Sequence, residues 1–284
     1  MKLVTYRTQN HTGLGAVVGD NVVDIKALGL PGAMLEFIQA GPKTWQHAAA
    51  LLAKPPATST PLKDVRLLAP LPKPGKLIAI GLNYMDHCRE QKIQPPARPL
   101  IFAKFTTAII GPGDVICWDP RVTQQVDYEV ELGVVIGKRT KHATEANALD
   151  AVFGYTIIND ISARDLQFSD GQWVRAKSLD TFAPMGPAIV TTDDIPEPQA
   201  LKLRCTLNGQ KMQDSSTKEM IFGVRHLIAD LSRFFTLEPG DVITTGTPDG
   251  VGVFRNPKVF LKSGDVIVCE IEGIGKLENT TRTM

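Results

Sequence analysis

Apolar and polar positions alternate along Lys2–Thr5, Gly15–Val18 and Asn21–Ile25, the period of strands with one buried face, with a Gly-Asp turn at Gly19–Asp20. Apolar residues then recur at helical spacing over Gly32–Gln39 and Lys43–Ala53. The segment Lys54-Pro55-Pro56-Ala57-Thr58-Ser59-Thr60-Pro61 is stiff and Pro-rich, which places a boundary there. Residues 1–65 therefore read as a small α+β domain and residues 70–284 as the main one. A second cluster, Pro70, Pro72, Pro74 and Gly75, introduces the strand Lys76–Ile80. Beyond it strands dominate, with helices expected at Met85–Gln91, Thr144–Leu149, Ile161–Gln167 and Val224–Phe235. The letters Gly-Asp-Val-Ile occur at Gly113–Ile116, Gly240–Ile243 and Gly264–Ile267. Each reads as a turn feeding a strand, because glycine supplies the unusual φ and aspartate can bond nearby backbone. Their unequal spacing argues against a solenoid and for an α+β, mainly β chain rolled from largely antiparallel strands.

Composition narrows the partners. The chain has 284 residues, 43% hydrophobic and 21% charged, and a net charge of +1, which offers no basic field for a nucleic-acid backbone. Its apolar runs fall far short of the roughly 20 residues that cross a bilayer, so no membrane partner is expected. The first residues have neither the apolar stretch of a signal peptide nor the pattern of a transit peptide, and a cytoplasmic chain is expected. Cys88, Cys117, Cys205 and Cys269 form no C-x-x-C pair and read as reduced, mostly buried thiols.

The most informative segment is Val126–Gly137. In a strand Asp127, Glu129 and Glu131 share one face, with Val130 and Leu132 on the other. Like charges so close repel, so that face is wet, or guards an exposed edge, or is neutralised by a cation. Oxygen ligands alone suit Mg²⁺, Mn²⁺ or Ca²⁺. Asp160, at the end of the apolar run Ala151–Ile158, is either a third ligand or a helix N-cap. On a helix His87 and Glu90 share a face, which lets the carboxylate orient the imidazole as a general base for water. His11, His47, His142 and His226 have no comparable neighbourhood in the sequence. Lys177 lies in a polar loop and says little alone. The glycine-rich loop Thr244–Gly252 lacks the ending of a phosphate-binding P-loop, although its amides could hold a carboxylate.

Six segments in order resemble the fumarylacetoacetate hydrolase family. They are Gly81–Gln91 (G-L-N-Y-x-D-H-C-x-E-Q), Ile101–Phe105 (I-F-x-K-F), Val126–Leu132 (V-D-x-E-V-E-L), Asp160–Gln167 (D-I-S-A-R-D-x-Q), Lys177–Phe182 (K-S-x-D-T-F) and Thr245–Gly252 (T-G-T-P-x-G-V-G). The resemblance covers roughly residues 70 to 275. It implies a mixed β-roll or sandwich catalytic domain, a homodimer, and a divalent ion, Mg²⁺ or Mn²⁺, on Glu129, Glu131 and Asp160. It also implies that the His87–Glu90 dyad rides on a mobile short helix, that Lys177 points into the site, that Arg164, Gln167 and Thr247 hold substrate, and that Thr181 lies near the metal. The leading activity it implies is hydrolysis of a carbon–carbon bond in a 2,4-dioxo acid of the acylpyruvate or fumarylpyruvate type. Water attacks under His87, and Lys177 stabilises the oxyanion. Keto–enol tautomerisation of oxaloacetate is the principal rival, because a branch of the family is associated with it. Oxaloacetate decarboxylation and isomerisation of a hydroxymuconate-type diacid are further possibilities. The complete set of side chains speaks against a metal-binding scaffold without chemistry, and side-chain specificity is expected in the segment Gln91–Pro99.

Overall fold

The computed structural model describes residues 1–54 and 58–284, so Pro55–Ala57, the middle of the Pro-rich segment, lie outside the described residues. Strands form at Lys2–Arg7, Thr12–Val18 and Asn21–Asp24, and helices at Met34–Gln39 and Pro42–Leu52, within a few residues of where periodicity predicts them. Most of the chain is β, as the pattern of short alternating segments implies.

One large sheet runs through Thr60–Pro61, Asn21–Asp24, Thr12–Val18, Lys2–Arg7, Ala183–Thr191, Val152–Asn159, Val130–Ile136, Val242–Thr244, Leu77–Gly81 and Leu100–Ala103. The N-terminal strands enter it through antiparallel pairing of Lys2 and Leu3 with Val190 and Ile189. A five-stranded sheet of Gln210–Ser216, Lys202–Leu207, Val266–Ile271, Gly275–Thr283 and Val115–Trp118 covers its middle.

The strand Val130–Ile136 sits centrally, antiparallel to both Val152–Asn159 and Val242–Thr244. Side chains in a strand alternate faces, and here both faces are buried. Val130, Leu132, Val134 and Ile136 enter one core with Leu203, Cys205, Ile267 and Ile271. Val135 enters a second with Leu3, Phe37, Ile38 and Phe153. An exposed, charge-guarded edge is therefore excluded for this strand, and its one carboxylate, Glu131, is buried within the fold.

The three Gly-Asp turns share one construction. Gly113, Gly240 and Gly264 have φ of 75°, 90° and 91°. In each the aspartate carboxylate accepts from the N–H three residues earlier: Gly111 to Asp114 at 2.8 Å, Glu238 to Asp241 at 2.8 Å and Lys262 to Asp265 at 2.7 Å.

Two expected helices differ. Over Thr144–Leu149 only a 3₁₀ turn, Ala148–Ala151, forms, because the Asn147 side chain accepts from the Thr144 N–H and hydroxyl and competes with helical bonding. The helix expected from Ile161 starts at Arg164, because Ser162–Ala163 pair with Val126–Asp127 as a two-stranded ribbon. Asp160 is thus no N-cap. The four cysteines are free thiols, with Cys205 and Cys269 opposite each other in register. Among the described residues no helix is long and apolar enough to cross a membrane.

Gly264→Ala should cost about 1–2 kcal/mol for the left-handed backbone alone, since nothing lies near its missing Cβ. Gly240→Ala should cost the same plus the turning aside of one side-chain end, because the new Cβ would meet Leu35 Cδ1 at 2.3 Å. Urea unfolding midpoints rank the two, and equal midpoints would contradict the packing argument.

Candidate active site

Four carboxylates converge where the central strand ends. Asp127 belongs to the ribbon Val126–Asp127, Glu129 follows it, Glu131 is the second residue of the strand Val130–Ile136, and Asp160 follows the strand Val152–Asn159. Pairing of Val130 with Asn159 fixes this convergence, and the Asp160 N–H donates to the Glu129 carbonyl at 2.9 Å. One ligand atom from each of Glu129, Glu131 and Asp160 lies within 4.8 Å of the others, all three residues being buried.

Three buried cations answer them. Lys177 Nζ donates to Glu129 Oε2 at 2.7 Å and Asp160 Oδ2 at 2.8 Å. Arg164 Nε donates to Asp127 Oδ2, Nη1 donates to Gln167 Oε1 and Nη2 pairs with Glu129 Oε1, each at 2.8 Å. Lys104 Nζ donates to Asp160 Oδ1 at 2.5 Å and to the Lys177 carbonyl. Asp127 also accepts from the Gly252 and Val253 N–H groups, which binds the glycine-rich loop to the network.

Glu131 differs from its neighbours. It accepts from the Thr244 hydroxyl and the Gly246 N–H, and no cation is paired with it among the described residues. Burial raises the Glu129 pKa, but Lys177 and Arg164 overcome this and hold it at about 2. Burial pushes Glu131 well above the usual carboxylate range, with Asp160 and Glu129 adding to the effect. Burial would lower Lys177, but Asp160 and Glu129 carry it above its ordinary value, whereas burial lowers Lys104 despite Asp160. Three close carboxylate oxygens, one of them on a residue with no paired cation, fit a hard divalent cation, so Glu129, Glu131 and Asp160 could hold one.

Opposite this floor lies the helix Met85–Gln91, bracketed by left-handed backbone at Leu82 (φ 53°) and Lys92 (φ 55°). His87 is 5% exposed, and its Nδ1 is 2.9 Å from Glu90 Oε2. Glu90 Oε1 accepts from the Gly250 N–H at 2.9 Å. Because the carboxylate accepts the Nδ1 proton, the other ring nitrogen, Nε2, keeps its lone pair in the neutral ring. Between helix and floor is a cavity of about 100 Å³, walled also by Leu82, Phe102, Phe168, Trp173 and Phe254.

His87, Glu129, Glu131, Asp160, Arg164, Gln167, Thr247 and Lys177 all line this cavity. Glu90 stands behind His87. The Thr247 hydroxyl is committed to the Val130 carbonyl and the Gln213 amide. Thr181 is not in the cavity wall, and its hydroxyl bonds the backbone of Cys117. Two histidines do have carboxylate neighbours that the sequence did not show: His11 with Asp24 and His226 with Glu145, each at 2.9 Å. The residue missed by sequence reasoning is Lys104, for which a lysine closing the apolar run Leu100–Ala103 was the available signal.

Since Glu131 has no paired cation, Glu131→Gln should leave the metal-free protein at least as heat-stable as the parent. Mg²⁺ should raise the melting temperature of the parent and not of the variant. A lower melting temperature for the metal-free variant would mean that the Glu131 charge is already compensated.

Comparisons with known proteins agree with the motifs. Residues 76–282 match the family described as Fumarylacetoacetate (FAA) hydrolase C-terminal. The Bos taurus protein named "Oxaloacetate tautomerase FAHD2A, mitochondrial" is 45% identical over 287 residues, covering 98% of this chain and 91% of its own. Among solved structures, the fumarylacetoacetate hydrolase of Exiguobacterium antarcticum matches with TM-score 0.88 at 39% identity, covering all of both chains. The maleylpyruvate hydrolase of Sphingobium sp. SYK-6, in complex with manganese(II) and pyruvate, matches with TM-score 0.82 at 31% identity, covering 100% of this chain and 99% of that one. The expectation of a cytoplasmic chain is corrected: the bovine relative is mitochondrial by name, and the pattern of the first residues does not outweigh that. With family motifs, fold and site geometry in agreement, the chain is an enzyme that belongs to the fumarylacetoacetate hydrolase family.

Proposed function

We propose that this enzyme interconverts the keto and enol forms of oxaloacetate. The observation that carries the reading is the arrangement of a small cavity, about 100 Å³, with one oriented imidazole facing a buried lysine and three carboxylates. Proton transfer at a single carbon needs no more. The 45% identity to a relative named oxaloacetate tautomerase supports it, so this reading displaces the hydrolysis that the motifs put first. Acylpyruvate-type hydrolysis stays as the second reading, favoured by the likeness to the maleylpyruvate hydrolase.

A divalent ion, Mg²⁺ in this proposal, held by Glu129, Glu131 and Asp160, would supply Lewis acidity toward the carboxylate and 2-oxo group of the substrate. His87 Nε2 takes the proton from the carbon next to the 2-oxo group, and Glu90 keeps the ring in the tautomer that can do so. Lys177 donates to the 2-oxo oxygen as negative charge grows there and gives it a proton as the enol forms; His87 loses its proton to solvent and Lys177 regains one from solvent, which restores both groups. One proton leaves carbon and one arrives on oxygen, so the net charge of the substrate is unchanged. Arg164 holds Glu129 and Gln167 in place beneath the substrate.

We also propose a homodimer. Among the described residues the edge strand Leu100–Ala103 has no partner on its outer side, and Ile101 and the neighbouring Phe105 are 40% and 59% exposed. Light scattering after gel filtration should give twice the chain mass, and a monomer would remove this proposal.

Proton NMR of oxaloacetate and of acetylpyruvate with protein and Mg²⁺ distinguishes the two readings. Faster enol–keto exchange of oxaloacetate, abolished by EDTA, is expected. New acetate and pyruvate from acetylpyruvate would move the assignment to hydrolysis. His87→Ala should lower the exchange rate by roughly 10²- to 10⁴-fold with Mg²⁺ affinity unchanged, and full turnover in that variant would remove His87 as the base.

A further inference from the structure

His87 and Gln91 lie four residues apart on the helix Met85–Gln91 and both line the cavity. Residues at this spacing share a face, about 6 Å apart along the axis. The Gln91 amide has no hydrogen-bond partner among the described residues, whereas Glu90 beside it is committed at both oxygens. Elsewhere in the cavity wall the cations are committed: Lys177 to Glu129 and Asp160, its third N–H serving the 2-oxo oxygen, and Arg164 to Asp127, Glu129 and Gln167. Arginine has only donors, so the oxygen of Gln167 must face it, and the Gln167 NH₂ stays on the floor beside Arg164.

We propose that Gln91 binds the group carried by the carbon from which His87 takes a proton, and thereby sets which 2-oxo acids the enzyme accepts. This rests on the tautomerase reading above. With one end of the substrate on the carboxylate floor and the reacting carbon beneath His87, the next group along lies one helical turn further, beneath Gln91. In oxaloacetate that group is the second carboxylate. It finds there a neutral NH₂ donor rather than a cation, in a cavity walled also by Leu82, Phe168 and Trp173. A neutral amide accepts a carboxylate or a ketone oxygen and gives an apolar terminus nothing. The preferred class is therefore 2-oxo acids with a hydrogen-bond acceptor two carbons beyond the oxo carbon.

Pyruvate is the control, because it shares the carboxylate and oxo group and lacks the distal acceptor. Gln91→Leu should raise the KM for oxaloacetate about tenfold, the loss of one hydrogen bond to a charged acceptor. Its kcat should stay within about twofold of the parent, and the inhibition constant of pyruvate should not move. Gln91→Glu should raise that KM further by like-charge repulsion, again without affecting pyruvate. Parallel weakening of oxaloacetate and pyruvate would mean a structural role for Gln91 and overturn the proposal, as would no change in either. A distal preference that survives Gln91→Leu and is lost in Gln167→Leu would place the contact on the floor instead. If the parent enzyme fails to tautomerise oxaloacetate, calorimetric affinities for oxaloacetate and pyruvate in parent and variants still decide the role of Gln91, so the two readings fail separately.

Discussion

Everything at this site depends on a charge imbalance that the fold buries. Among the described residues the four carboxylates of Asp127, Glu129, Glu131 and Asp160 have only Lys104, Arg164 and Lys177 as ion-pair partners, and all seven are shut away from water. Desolvating each ion costs several kcal/mol, and pairing seldom returns more than that. A set of this size is a poor way to stabilise a β-roll. It is a sound way to hold oxygen donors rigid and short of positive charge, which is what a hard cation requires.

The surrounding architecture serves that imbalance. A strand buried on both faces, Val130–Ile136, can carry Glu131 only because Thr244 and Gly246 from its neighbouring segment donate to it. The glycine-rich loop, whose sequence suggested amides for a carboxylate, does act in that way. Its carboxylates are the protein's own: Glu131, Asp127 and Glu90 accept from Gly246, from Gly252 and Val253, and from Gly250.

Much of this could be read from the chain. Alternation located the strands, but the continuous strand that would put Asp127, Glu129 and Glu131 on one face is interrupted at Tyr128–Glu129, because Val126–Asp127 pair with Ser162–Ala163 while Val130 onward pairs with Val152–Asn159. The i, i+3 relation did join His87 to Glu90, because local geometry alone fixes which side chains share a helix face. Local pattern could not tell whether the carboxylate face was wet or buried, since that depends on which strands lie on either side. Nor could it show Lys104 beneath Asp160, a contact between residues 56 positions apart. The helix expected at Ile161 fails on the same ground: Ser162–Ala163 are claimed by Val126–Asp127, a partner distant in sequence. Thr181 was placed by analogy, and its hydroxyl is taken by Cys117.

Glu90 uses one oxygen to hold the Gly250 N–H and the other to hold the His87 ring. Docking of the helix and selection of the reactive tautomer are therefore a single equilibrium, read out at two atoms of one carboxylate. Any displacement that breaks the anchor also frees the imidazole to turn and to carry its proton on either nitrogen. The orientation of the imidazole therefore depends on the same carboxylate that fastens the helix to the glycine-rich loop.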